Sequence, residues 1–407
     1  MAKRMRFILS TIMVIGALMN MVGRSISSLS GKVTDPDKEA IIGATVQAIH
    51  EPSGTRYGAI TNIDGRYTIQ GMRAGGPYSV EVSYIVYQTM MYKDVTLQLG
   101  EVYNLNVQMK ESSELLEEVV VTAQKTKFAS EKTGATTNIS NTQIASMPSV
   151  SRSITDYSRL SAYGGNGMSF AGSDGRTANF TIDGANFNNN FGLSSNLPGG
   201  GNPVSIEAID EIQIVISPFD VRQTNFIGGG INAITKSGTN TYKGTAYIYH
   251  QNENMRGDAI DRETILGARE KDQSTTYGFT IGGPIIKNKL FFFANGELQN
   301  TPAIANRWRA SEDGVANADA YISRATVADL QNVSDIAKER YGYDTGSFSS
   351  FPSDNKNTKL LARIDWNINN NHRLALRYNY TKNTVWNAPN ASSMDGGTRM
   401  SGSRTSQ

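Results

Sequence analysis

From Thr241 onward the chain alternates apolar and polar residues over runs of about ten positions, a pattern that lets each strand hide one face and no more. In Leu360–Asn367, Leu360, Ala362, Ile364 and Trp366 share one face, and Leu361, Arg363, Asp365 and Asn367 share the other. In Arg373–Tyr380, Leu374, Leu376, Tyr378 and Tyr380 oppose Arg373, Ala375, Arg377 and Asn379. Thr241–His250, Thr275–Gly283 and Lys289–Leu298 read the same way. The connections alternate in length: 251–273 and 300–357 are long and polar, whereas Pro284–Asn288 and Ile368–Asn371 are tight. Strands of this length with one apolar face and aromatic ends, joined by long outer loops and short inner turns, are the signature of a transmembrane β-barrel. A soluble sandwich predicts no such alternation. The helix-like stretch Thr326–Arg340 then belongs to an outer loop.

Composition narrows the field further. At 407 residues the chain has room for two or three domains. Its 39 basic and 37 acidic residues give a net charge of +2, so no basic footprint for nucleic acid exists. A mean hydropathy of -0.37 excludes a polytopic helical membrane protein but not a barrel, whose strands are half polar. Without cysteine, disulfides, thiolate metal sites and cysteine nucleophiles are excluded. Lys3, Arg4 and Arg6 precede an uncharged apolar run from Phe7 to Val22, the two parts of a secretory signal peptide, with Ser25-Ile-Ser27 as a cleavage point. That run is short for a membrane-spanning helix, which needs about 20 residues. Residues 1–27 are therefore expected to be an export signal.

Short strands recur between turn residues from Leu29 to Met109: Leu29–Val33, Thr45–His50, Arg66–Ile69, Tyr78–Ser83 and Tyr103–Met109. Their even spacing predicts a small sandwich. Ser30-Gly-Lys-Val-Thr-Asp35, Ile42-Gly-Ala-Thr-Val46 and Thr61-Asn-Ile-Asp-Gly-Arg-Tyr67 together resemble the carboxypeptidase regulatory-like domain, assigned to 28–110. Asp64-Gly65 reads as a tight turn, with Gly at positive φ and Asp bonding its own backbone, rather than as a metal or sugar site.

Residues 111–126 form a linker of odd composition. Glu117, Glu118, Val119, Val120, Val121, Thr122 and Ala123 place three consecutive β-branched residues where a solvated linker needs none. Such a run favours an extended backbone that can add to another protein's sheet edge, or serve as a last strand of the preceding sandwich. It resembles the TonB box, the periplasmic handle of TonB-dependent outer-membrane receptors. Beyond it, Asn138-Ile-Ser, Phe170-Ala-Gly-Ser-Asp-Gly-Arg176, Asn179-Phe-Thr-Ile-Asp-Gly184, Ile206–Ile216 and Gly228–Gly238 occur in an order that resembles the plug domain of those receptors, and of the Oar-like group in particular. The resemblance implies a plug over 127–240 and a barrel from 241. It also implies a loop, Asn186-Phe-Asn-Asn-Asn-Phe-Gly192, that faces external ligand through Asn186, Asn188, Asn189 and Asn190; a packed turn is the other reading.

The fold class expected is mainly β: a small sandwich, an α+β plug, and the first strands of an incomplete antiparallel barrel. The resemblance implies an outer-membrane receptor that takes up a siderophore, oligosaccharide or peptide. Its partners would be the TonB energy-coupling protein, the nutrient ligand and a surface lipoprotein, with the sandwich and handle in the periplasm; no cofactor, metal or nucleic acid is implied. A family barrel has about 22 strands of ~10 residues, so a chain with about five is expected to be the front of a longer receptor. Two rivals come from other classes. A surface adhesin would use the regulatory-like domain to bind glycan or peptide. A zinc peptidase would need His250, Glu253 and His372 in one cleft, yet His250 ends one barrel-like strand and His372 begins another. The Gly-rich segment 164–175 lacks the Gly-Lys-Ser/Thr of a phosphate cradle.

Overall fold

The computed structural model describes residues 26–111, 119–122, 135–147, 149, 152–165, 167–188, 197, 202–216, 223, 226–255, 259–260, 263–264, 273–302, 309–318, 322–346, 354–369, 372–387 and 403–406. The export signal expected over 1–27 lies outside these apart from its last two residues. Two compact units are present. One comprises Met1–Thr245, Thr280–Asn295 and Leu360–Asn379, the other Ala246–Phe279, Gly296–Lys359 and Tyr380–Gln407.

The sandwich is built from β1 (Ile26–Thr34), β2 (Thr45–His50), β3 (Thr55–Ile60), β4 (Arg66–Arg73), β5 (Gly75–Ser83), β6 (Met90–Leu97), β7 (Val102–Asn104) and β8 (Val107–Gln108). One sheet runs β4-β1-β7, with β8 also on β1; the other runs β3-β2-β5-β6 and continues to β9 (Val119–Thr122). Along β2 buried residues alternate with exposed or half-buried ones, so Val46, Ala48 and His50 point inward beside Tyr78, Val80 and Val82 of β5. Leu29, Val33, Met72 and Met109 complete this core from the facing sheet and its flanks. β3 and β6 were not legible as strands, because neither shows sustained alternation. At the predicted Asp64-Gly65 turn Gly65 has φ 71. The bonding side chain there is Asn62, not Asp64: Asn62 Oδ1 accepts from the N–H groups of Asp64 at 3.0 Å and Arg66 at 2.8 Å. An Asx residue opens such a turn from its first position, and here that position is 62.

The next sheet has five strands in the order β10-β13-β14-β11-β12, from β10 (Ala135–Ser140), β11 (Asn179–Ile182), β12 (Ala185–Asn186), β13 (Ile209–Ile216) and β14 (Gly229–Thr235). All pairs are antiparallel except β11 with β14. β14 is buried along its whole length and β13 at all but one position, so side chains cover both faces of the sheet centre. The core gathers Ile139, Phe170, Phe180, Ile212, Ile214 and Ile231.

The remaining long strands are β15 (Lys243–Gln251), β18 (Ser274–Ile286), β19 (Leu290–Pro302), β22 (Asp354–Asn367) and β23 (Arg373–Asn387), with β24 (Ser403–Ser406) beyond them. The pairs β16 (Ala259–Ile260) with β17 (Glu263–Thr264), and β20 (Arg309–Ser311) with β21 (Ile322–Thr326), decorate the long connections. The six strands pair as a sequential meander, β15-β18-β19-β22-β23-β24. All five predicted strands are present, and all but β15 run longer than predicted. The faces are inside out: Leu360, Ile364 and Trp366 are exposed, while Lys359, Leu361 and Arg363 on the opposite face are buried. On β18 Tyr277, Phe279 and Ile281 are exposed against buried Thr276 and Thr280. On β19 Asn295 and Glu297 are buried while Leu298 is exposed. Water rewards the reverse, so the solvent for these outer faces is lipid. The helix Val327–Tyr341 lies in a long connection as expected, capped by Thr326, whose hydroxyl oxygen accepts from the Asp329 N–H at 3.0 Å; none of its residues is buried.

Candidate functional site

The expected handle is an extended strand in the structure. β9 runs parallel to β6, with Val119 opposite Met90, Val120 opposite Met91, Val121 opposite Tyr92 and Thr122 opposite Lys93. Consecutive β-branched residues have few χ1 choices and suit this backbone. Glu117, Glu118 and Ala123 lie outside the described residues. Of the two readings of this segment, the structure shows the last strand of the sandwich: β9 ends that sheet.

The turn after β6 carries the sandwich onto the five-stranded sheet. Leu99 is buried with Ala74 and Ile234. Its N–H donates to Glu211 Oε1 at 3.1 Å, and its carbonyl accepts from Gln213 Nε2. On either side, Asn138 Nδ2 donates to Gln98 Oε1 at 3.3 Å and Glu101 Oε1 at 3.1 Å. Gly100 has φ 68, a backbone conformation that favours glycine, and a Cβ there would stand 2.9 Å from Gln213 Nε2 and push on the amide that bonds Leu99. A second set of contacts fixes the sandwich's other end. Asn240 N–H donates to Pro52 O at 2.7 Å, Asn367 Nδ2 to Thr55 Oγ1 at 2.9 Å, and the Arg373 guanidinium lies 4.0 Å from the Tyr57 ring centroid.

Gln213 belongs to a polar row across the sheet. The register places Asn138, Gln213, Asn232, Thr181 and Asn186 side by side on β10, β13, β14, β11 and β12. Asn232 Nδ2 donates to Gln213 Oε1 at 3.2 Å, and the Thr181 hydroxyl donates to Asn232 Oδ1 at 2.7 Å. A buried amide needs such partners, and Gln213 and Asn232 each find one in the row. The signal was in the sequence: Gln213 and Asn232 interrupt the strands Ile-Asp-Glu-Ile-Gln-Ile-Val-Ile and Gly-Gly-Ile-Asn-Ala-Ile-Thr, where isoleucine otherwise prevails. Pairing them needed the register.

At the far end of the row lies the predicted ligand loop. Asn186 is exposed. Its Oδ1 accepts the Asn188 N–H at 2.7 Å, while Asn188 Oδ1 accepts the Phe180 N–H at 2.6 Å and its Nδ2 donates to Asn179 Oδ1 at 2.8 Å. Asn188 thereby ties the start of the loop back to β11. Asn189 and Asn190 lie outside the described residues.

A charged cluster missed by the sequence reading holds the sheet to the strand wall. Asp183 and Gly184, with φ 50 and 85, form the two-residue turn between β11 and β12. There the Asp183 carboxylate is buried and accepts from Thr235, through its N–H at 3.0 Å and its hydroxyl at 2.6 Å. Arg377 Nε stands 3.3 Å from Asp183 Oδ2, and Arg363 Nη1 stands 3.7 Å from Oδ1. Arg363 also donates to Thr235 O at 2.7 Å and clasps Asp365 through two nitrogens at 2.7 and 3.0 Å. Two carboxylates and two guanidiniums balance, which is what lets a buried cluster exist without an uncompensated charge. In the zinc reading, His250 Nδ1 pairs with Thr275 Oγ1 and His372 Nδ1 with Asn369 Oδ1. No group of three metal-binding side chains occurs among the described residues.

Comparison with known proteins gives two family matches: the carboxypeptidase regulatory-like domain over residues 28–110, and an outer membrane beta barrel domain over residues 234–407. The chain is 27% identical over 227 residues to the TonB-dependent transporter Oar of Myxococcus xanthus, covering 53% of this chain and 19% of that protein. Among solved structures it is similar to the siderophore receptor PirA of Acinetobacter baumannii, at 20% identity and TM-score 0.39 over 61% of this chain and 31% of that one. PirA of Pseudomonas aeruginosa matches at 16% identity and TM-score 0.37, over 63% and 36%. The chain thus spans about a fifth to a third of the length of these relatives.

Proposed function

We infer, from a regulatory-like domain followed by an outer membrane β-barrel domain, that this chain is part of a TonB-dependent receptor serving active uptake of a scarce nutrient across the outer membrane. The cargo class is a siderophore, oligosaccharide or peptide too large to diffuse through porins. No bond is broken in this reading. Residues 127–240 act as the plug, residues 117–123 as the handle, and the export signal delivers sandwich and handle to the periplasm. Ligand binds at the outer loops. The energy-coupling protein pairs with the handle by strand addition, and its pull rearranges the plug.

The observation that carries this reading is the pairing of a polar-rowed, five-stranded sheet with strands whose apolar faces point outward. The Asp183 cluster supports a plug held by charge, because removing one partner of a buried pair leaves the other charge uncompensated. In cells producing the receptor, removal of residues 117–123 is expected to abolish accumulation of ligand while leaving its binding to the cell surface intact. Uptake that continues unchanged without the handle would refute the mechanism.

A further inference from the structure

The handle is held along one of its two edges. β9 ends the order β3-β2-β5-β6-β9, and among the described residues no strand lies against its far side. Successive residues of an extended strand turn their N–H and C=O groups to opposite sides, so about half of the peptide groups of Val119–Thr122 face β6 and the remainder face outward. An open strand edge is a template for another strand. This one is already extended and in register, so a partner that adds to it need not supply the conformational entropy of ordering the segment.

The platform under the handle is itself fixed. β6 ends at Leu97, and two residues later Leu99 is buried against the five-stranded sheet with both its backbone groups bonded by Glu211 and Gln213. The strand that holds the handle is thus continuous with the clip that holds the plug sheet.

We propose that the regulatory-like domain is the docking platform for the energy-coupling protein: it presents Val119–Thr122 as a ready-made end strand, and the coupling protein joins as the next strand of that sheet without stripping the handle from β6. This rests on residues 117–123 being the handle. What the edge selects is an extended segment able to form a main-chain ladder, with side chains adding discrimination.

The chain has no cysteine, which makes a reversible lock clean to build. Met91→Cys combined with Val120→Cys places thiols on directly paired residues. The full chain in detergent is titrated with the purified C-terminal domain of a TonB protein, oxidised and then reduced. The proposal expects the disulfide to form, and the locked chain to bind within about threefold of the reduced chain, since the outer edge stays free. A loss of about tenfold or more on oxidation, reversed by reductant, would show that the handle must leave β6 and would overturn the proposal. So would failure of the pair to cross-link. A variant lacking residues 117–123 separates the underlying reading: retained binding there removes the handle assignment itself, whereas lost binding together with a sensitive lock removes the platform alone.

Discussion

Burial of a single imidazole makes the sandwich sensitive to acid. His50 is buried against Tyr78, with ring centroids 4.9 Å apart, and its Nδ1 lies 2.6 Å from Ser53 Oγ. Desolvation, with a smaller contribution from the Arg73 charge, lowers its pKa from 6.5 to about 3. Folded His50 therefore stays neutral while the unfolded chain takes up a proton below pH 6.5, so stability falls as pH drops through that value and levels off near pH 3. At pH 4.5 the loss from this group is about 2–3 kcal/mol relative to pH 8. Hydrogen exchange of the β2 and β5 amides followed against pH should show this slope. His50→Gln should lower stability at neutral pH and flatten the slope between pH 6.5 and 4; an unchanged slope would place the acid sensitivity elsewhere. Tyr67 and Tyr78 are pushed up from their ordinary values by the same desolvation, and stay neutral throughout this range.

At the scale of strands, alternation was the most legible feature, because a period of two assigns every residue to a face before any partner is known. It located β15, β18, β19, β22 and β23 and sorted β22 correctly into Leu360, Ile364 and Trp366 outside and Arg363 inside. β3 and β6 were missed because Thr55–Ile60 and Met90–Leu97 owe their pairing to neighbours in the sheet rather than to their own pattern. The clip at Leu99 and the Asp183 cluster join residues more than a hundred positions apart, and no local motif announces such contacts. Asp183 was visible as part of an Ile-Asp-Gly turn, but its two arginines were visible merely as polar members of barrel strands. The outward face also yields a test. Ile364→Lys puts a charge on a lipid-facing position and is expected to cost about 2–4 kcal/mol if that position lies near the bilayer midplane. Asn332→Lys, exposed on the helix Val327–Tyr341, should be close to neutral. Unfolding by urea from lipid vesicles measures both; equal effects would argue against a membrane-facing β22.

For the whole molecule the consequential contact is Asp183 with the two arginines of β22 and β23. Asp183→Asn keeps the shape and removes the charge, leaving Arg377 without its carboxylate and Arg363 with Asp365 alone. Because Arg377 is about one third exposed, water softens the loss, and the expected cost sits at the low end of the ~3–5 kcal/mol for breaking a buried pair. Thermal unfolding in detergent should show a lower midpoint. The double variant with Arg377→Gln should lie nearer the wild type than the two single costs added together; strict additivity would mean the side chains do not interact. The inside-out strands have one more consequence, which concerns the chain before it reaches its membrane. In water, β18, β19, β22 and β23 would turn their apolar sides to solvent, a state from which chains aggregate. The sandwich, with an inward-facing core of its own, has no such difficulty. A front that can fold in water and a back whose strands need lipid would therefore form at different times, the back last.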